Sequence, residues 1–165
     1  MIDTSDSGML AQYGKGSGKS ENFYMQFQGI AVATKSAKVY SIDMAAIPTG
    51  KVLKKGSTWK VSQIVDFNGE DYYCVGGDQF VEASQMKLKK MDTAHVNYNK
   101  HYGIQIWTAL HNVVKNPNGT AKKLKGQTNW NIYGAGIIGG KTYINLGGDQ
   151  YIDGNYVSLK HYAIK

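Results

Sequence analysis

The chain has 165 residues, enough for one ordinary domain or two small ones, and is 42% hydrophobic, which excludes global disorder. Its formal charge is +7, and all 19 basic residues are lysine. Such a charge attracts polyanions, but a chain with no guanidinium fork is poorly equipped for sequence-specific nucleic-acid recognition.

Taken in chain order, Met1 to Leu10 lacks the basic and apolar regions of a secretion signal, so the chain reads as a piece of a larger exported protein or one that leaves the cell by another route. Residues 1–28 read as a linker or N-terminal extension. The run Gly14-Lys15-Gly16-Ser17-Gly18-Lys19-Ser20 is a flexible Gly/Ser/Lys segment rather than a phosphate loop, because Tyr13 stands where that motif needs glycine. Glu21 to Phe27 reads as an extra strand or as the entry to a first barrel. Gly29 to Thr34 alternates as a strand, and a polar loop spans Lys35 to Lys51. Lys54-Lys55-Gly56 is a turn before the alternating strand Trp59 to Ser62. Asn68-Gly69 is a hairpin turn, Tyr72 to Val75 is the return strand, and Gly76-Gly77-Asp78 reverses the chain before Phe80-Val81. Cys74, the sole cysteine, cannot form an internal disulfide and reads as a small buried side chain. Lys89 to Tyr102 reads as a polar connector. No run of about 18 apolar residues exists, so nothing is long enough to span a membrane.

The second half of the chain repeats the first. Shifted by 71, Trp59–Leu88 falls on Trp130–Leu159 with eight identities in thirty positions, where unrelated sequence gives roughly two. Trp59, Gly69, Tyr72, Gly76, Gly77, Asp78, Gln79 and Leu88 meet Trp130, Gly140, Tyr143, Gly147, Gly148, Asp149, Gln150 and Leu159. Further back, Gly29-Ile30-Ala31-Val32 aligns with Gly103-Ile104-Gln105-Ile106 and Gly56 with Gly126, which places Trp107 opposite Ala33. The units expected are 29–90 and 103–162, each a five-stranded all-β barrel with one long early loop. In the second unit that loop runs from Asn112 to Ala121, and Gly139-Gly140 supplies the hairpin.

This order of motifs resembles bacterial SH3-like (SH3b-type) wall-binding repeats, and more narrowly those of lactobacillus surface proteins and phage endolysins. It is carried by Gly103 to Trp107, Leu124-Lys125-Gly126, Trp130, Gly140, Tyr143 and Gly147 to Tyr151, with counterparts at Gly29 to Val32, Leu53 to Gly56, Trp59, Gly69, Tyr72 and Gly76 to Phe80. The resemblance implies two tandem small SH3-like β-barrels and a non-catalytic role. It also implies a partner that is a bacterial cell-wall polymer, either peptidoglycan or teichoic acid, and a location outside the cell or on the wall. The module would be the targeting part of an endolysin or exported wall hydrolase. A structural module of a surface layer and a non-specific nucleic-acid-binding barrel are the alternatives.

No catalytic set is legible. His95, His101, His111 and His161 show no metal-ligand spacing and Cys74 has no partner constellation, so neither an enzyme nor a cofactor is expected. For ligand contact the candidates are Tyr40, Gln79, Trp107, His111, Tyr133, Gln150, Tyr151 and Tyr156. Aromatic rings stack on sugars, Tyr hydroxyls add hydrogen bonds, and Gln can offer its amide. Packing is the competing role for each. Trp59 and Trp130, in phase with Val61 and Ile132, read as core. The lysines at 51, 54, 55, 122, 123 and 125 serve solubility or attraction to phosphates.

Overall fold

The computed structural model describes residues 23–163; the Gly/Ser/Lys run at 14–20 lies outside the described residues. Within them the regular elements are fifteen strands and two short 3-10 turns, an all-β chain as expected. The first half supplies β1 (Phe23–Ala33), β2 (Ala37–Ile42), β3 (Ala46–Leu53), β4 (Thr58–Phe67), β5 (Glu70–Gly76), β6 (Gln79–Glu82) and β7 (Met86–Leu88). The second supplies β8 (Asp92–Val96), β9 (Gly103–Gln105), β10 (Lys123–Lys125), β11 (Asn129–Ile132), β12 (Gly134–Ile138), β13 (Lys141–Asn145), β14 (Tyr151–Asp153) and β15 (Val157–Leu159). Every strand pairing is antiparallel, and burial alternates as a half-buried strand requires, most cleanly in β8 and β12. Both expected hairpins form with positive φ at their two central residues, at Asn68-Gly69 (54° and 80°) and Gly139-Gly140 (63° and 75°).

Strand register shows how the two halves correspond. Ala31 pairs with Trp59 and Leu88, and Ala94 pairs with Trp130 and Leu159. The first strand of the second repeat is therefore β8, inside the segment expected to be a connector. Gly103–Gln105 corresponds instead to the start of β2, since Ala37 pairs with Leu53 and Ile104 with Leu124. The offset between equivalent residues thus steps from 63 at Ala31/Ala94 to 67 at Ala37/Ile104 and 71 at Leu53/Leu124. Each step is four extra residues in a loop of the second repeat. Register also puts Gln127 (φ 62°) where the first repeat has Gly56 (φ 85°), and Gly126 one place earlier than expected. A Cβ on Gly126 would lie 2.2 Å from the Asn99 carbonyl oxygen, so glycine there is what lets the longer 97–102 loop close down.

Residues 23–28, assigned from sequence to the N-terminal extension, are the outer half of β1. They carry the buried Met25 and Phe27 and lie between β4 of the first repeat and β12 of the second. The ten-stranded sheet runs β14-β13-β12-β1-β4-β5-β6-β2-β3 with β7 beside β1. One core cluster crosses both repeats, joining Met25, Phe27 and Val61 to Ile138, Tyr143 and Tyr151, while two smaller clusters belong to single repeats.

Where the β4–β5 hairpin meets the second repeat, Asp66 and Asp71 sit directly across from each other. Desolvation, then the charges of Asp66, Asp149 and Glu70, raise the Asp71 carboxyl to about 6. The folded chain therefore holds a proton that the unfolded chain releases, and stability falls as pH rises from about 4 through 6. Asp71→Asn is expected to stabilise the chain at pH 7, by no more than about 1 kcal/mol because Asp71 is exposed and water screens its charge, and to change little below pH 4. Urea melts at the two pH values check this.

Candidate functional site

A groove of about 420 Å³ opens on the second repeat. Its floor is the end of β9 continuing into Trp107, whose backbone exchanges two 2.8 Å hydrogen bonds with Tyr151. That pairing reproduces the contact of Tyr40 with Phe80 in the first repeat. Trp107 therefore stands in the place of Tyr40, not of Ala33, and an aromatic ring is present at this position in both repeats.

The half-buried indole of Trp107 stacks on the His111 ring at 4.1 Å between centroids, tilted by 31°. His111 adopts φ 64°, uncommon for a residue with a side chain, and its Nε2 lies 3.3 Å from the Tyr143 hydroxyl. The loop that presents His111 is tied down by Asp149, whose carboxylate accepts from the Ala109 amide at 2.8 Å. In the first repeat the Ser41 side-chain hydroxyl, near the end of β2, donates to Asp78. In both repeats the aspartate thus fastens the Gly-Gly turn to the segment opposite it, by a backbone amide in one and a hydroxyl in the other.

On the far side Tyr156 meets Tyr98 edge to face, 5.7 Å apart, and both rings are about two-fifths exposed. The rim carries Lys123 and Lys141, with Lys141 paired to Asp153 at 2.9 Å and its ammonium 6.0 Å from the centre of the Tyr143 ring. The Asp153 hydrogen bond, then its charge, hold the Lys141 ammonium more firmly protonated than usual. Gln105 also lines the groove, and its buried side-chain nitrogen lacks a hydrogen-bond partner. Stacked rings, hydrogen-bonding side chains and the two rim lysines suit a hydroxyl-rich, negatively charged chain, while among the described residues no group of three or more acidic, His or Cys side chains is placed to hold a metal.

Of the candidates read from sequence, Trp107, His111 and Tyr156 come together here. Tyr40 occupies the equivalent place in the first repeat, where its hydroxyl donates to Glu82 at 3.2 Å and its ring meets Tyr72 edge-on. Gln79 and Gln150 do not line the groove; each accepts a hydrogen bond from a lysine of its own repeat, Lys51 at 2.8 Å and Lys122 at 2.9 Å. Tyr133 packs beside the Gly147 turn. Tyr151 is a core residue, 2% exposed, and burial drives its hydroxyl pKa far up, so its ring is not offered to a ligand. Trp130, read as core, is 41% exposed with its ring nitrogen donating to Thr128 at 2.7 Å, whereas the equivalent Trp59 packs partly against the shared core. Lys123 is one of the turn lysines read from sequence as serving solubility or attraction to phosphates, while Tyr98, Lys141 and Asp153 escape sequence reasoning. Tyr98 lies in the segment read as a connector, and the others become site residues only through cross-strand pairing.

The sequence profile of the surface layer protein A domain matches residues 30–84 and 112–155. The chain belongs to that family. The matched segments fall one in each repeat, and the interval between them holds Tyr98, Trp107 and His111. No curated protein matches the sequence. Among solved structures the chain is similar to the endolysin LysPBC5 CBD, at 19% identity and a TM-score of 0.44 over 80% of this chain and 93% of that one. It is also similar to a Listeria monocytogenes protein described as an autolysin, at 16% identity and a TM-score of 0.30 over 83% of this chain, and it spans 64% of that protein. Among the described residues no helix is long and apolar enough to cross a membrane.

Proposed function

We propose that this surface layer protein A domain is a non-catalytic module that attaches to a bacterial cell-wall polymer outside the cell. The observation that carries the reading is the groove of stacked rings rimmed by Lys123 and Lys141 in a chain of net charge +7. Aromatic faces take polyol or sugar carbons, and ammonium groups draw in phosphate by long-range attraction. That combination favours an anionic wall polymer such as teichoic acid over peptidoglycan. Each repeat serves as a small SH3-like unit, the second opening with β8. In an endolysin or an exported wall hydrolase such a module would keep the enzyme at its substrate.

Sedimentation with purified Gram-positive walls, before and after extraction of teichoic acid, tests this. Binding is expected to the intact walls and to fall sharply after extraction, and raising salt from about 50 to about 500 mM is expected to weaken it severalfold as charges are screened. No sedimentation with either preparation overturns the reading. Equal binding to both moves the ligand to peptidoglycan.

A second reading, lateral assembly in a surface layer, is favoured by β3. This strand ends the large sheet and exposes Ile47 and Val52, with Met44 in the preceding turn. Sizing as a function of concentration separates it from the first.

A further inference from the structure

We propose that the polymer site belongs to the second repeat alone, and that the equivalent hollow of the first repeat is closed to a phosphate-bearing chain; this rests on the wall-polymer reading above. Register makes the two hollows comparable residue by residue. Trp107, Tyr143, Asp153 and Lys123 correspond to Tyr40, Tyr72, Glu82 and Val52. Lys141, the first residue after its hairpin turn, corresponds to Glu70.

Three differences point the same way. The first is charge. The second repeat sets two lysines against one carboxylate, while the first sets Glu70 and Glu82 against Lys38, which stands where the second repeat has Gln105. A phosphodiester entering the first hollow meets like charge from Glu70 and Glu82. The second is occupancy of hydrogen-bonding groups. The Tyr40 hydroxyl is held by Glu82, whereas Trp107 has no such anchor and lays its face against His111. The third is chain length. The two four-residue steps in offset lie in the 97–102 loop and in the loop between β9 and β10. The first extra loop supplies Tyr98 and the second supplies His111. The first repeat has shorter loops at both places, and Gln85 stands where Tyr156 closes the far wall.

The experiment is titration calorimetry of the full chain with extracted poly(glycerol phosphate), comparing Lys123→Gln/Lys141→Gln with Lys35→Gln/Lys38→Gln. Both pairs remove two positive charges from exposed positions, so a pure net-charge effect lowers affinity equally. The second-repeat pair is expected to lose about tenfold or more and the first-repeat pair to stay within about twofold, with one polymer contact site per chain. Equal losses in the two variants, or a larger loss in the first-repeat pair, overturn the asymmetry while leaving wall binding intact. No heat with the unmodified chain, checked against wall sedimentation, overturns the parent reading and this inference with it. Circular dichroism melts of both variants confirm that each is folded.

Discussion

Trp107→Ala is expected to weaken wall binding by about tenfold or more, the largest loss from any single change in the groove. An aromatic ring buried at the centre of a contact surface carries a disproportionate share of binding energy, on the order of 1–3 kcal/mol. Here the indole also holds His111 in place, so truncation removes one wall of the groove and frees the second. Alanine will cost stability too, because Trp107 packs partly against the core shared by both repeats. The companion variant Trp107→Tyr separates the two effects. Tyrosine already fills this position in the first repeat, at Tyr40, so the fold has a working precedent for it. The tyrosine variant should melt within a few degrees of the unmodified chain and still bind walls less well, by roughly threefold or more. Full binding by both variants would place the contact elsewhere.

Asp92→Ala is expected to produce the largest loss of stability among the polar changes. Asp92 is 3% exposed, and its carboxylate accepts from the backbone of Thr93, His161 and Tyr162 at 2.8, 2.8 and 3.0 Å and faces the His161 ring at 2.9 Å. It stands where the first repeat has Gly29, and it fastens the chain after β15 to the start of β8. Burial alone would raise its pKa, but the hydrogen bonds from His161, Thr93 and Tyr162 prevail and hold it down to about 2. Removing the carboxylate leaves three amides without a partner. Part of that load passes to water because His161 and Tyr162 are exposed, so the cost is about 2–3 kcal/mol, or roughly 5–10 °C in melting temperature. A depressed carboxyl contributes stability that is complete above its unfolded pKa near 4 and lost as pH falls toward 2. The difference between Asp92→Ala and the unmodified chain should therefore be full at pH 7 and shrink below pH 4. A difference independent of pH would mean that the carboxylate's charge is not what matters.

Much of the fold is legible in the sequence where side chains are tied to one backbone geometry. Gly69, Gly140 and the Gly-Gly-Asp-Gln turns mark places that need positive φ or a fastened loop, and Trp59 and Trp130 mark matching strands. Between those anchors the repeat is plain. The opening strands misalign in sequence because Gly29–Val32 and Gly103–Ile106 share a short apolar pattern. The true counterpart, Asp92–Val96, keeps only Ala94 and the alternation of burial. Loop insertions carry no periodic signal, so the two four-residue steps are invisible in sequence, and with them the origin of Tyr98 and His111. Aromatic character alone does not separate Trp107 from Tyr151. Both lie at the same cross-strand contact and against the same core, but Trp107 is half-buried and also lines the groove while Tyr151 is wholly enclosed. Gln79 and Gln150 are kept from the groove for a physical reason that recurs in both repeats, a lysine 28 residues earlier that takes up the carbonyl.

Amide and indole chemical-shift mapping during titration with a soluble teichoic-acid fragment tests the central claim most directly. Shifts are expected to cluster on Trp107, His111, Tyr143 and Tyr156, with Tyr40 and Tyr72 unmoved. Shifts centred on the exposed Trp130 face, along β3, or equally on both repeats would contradict it.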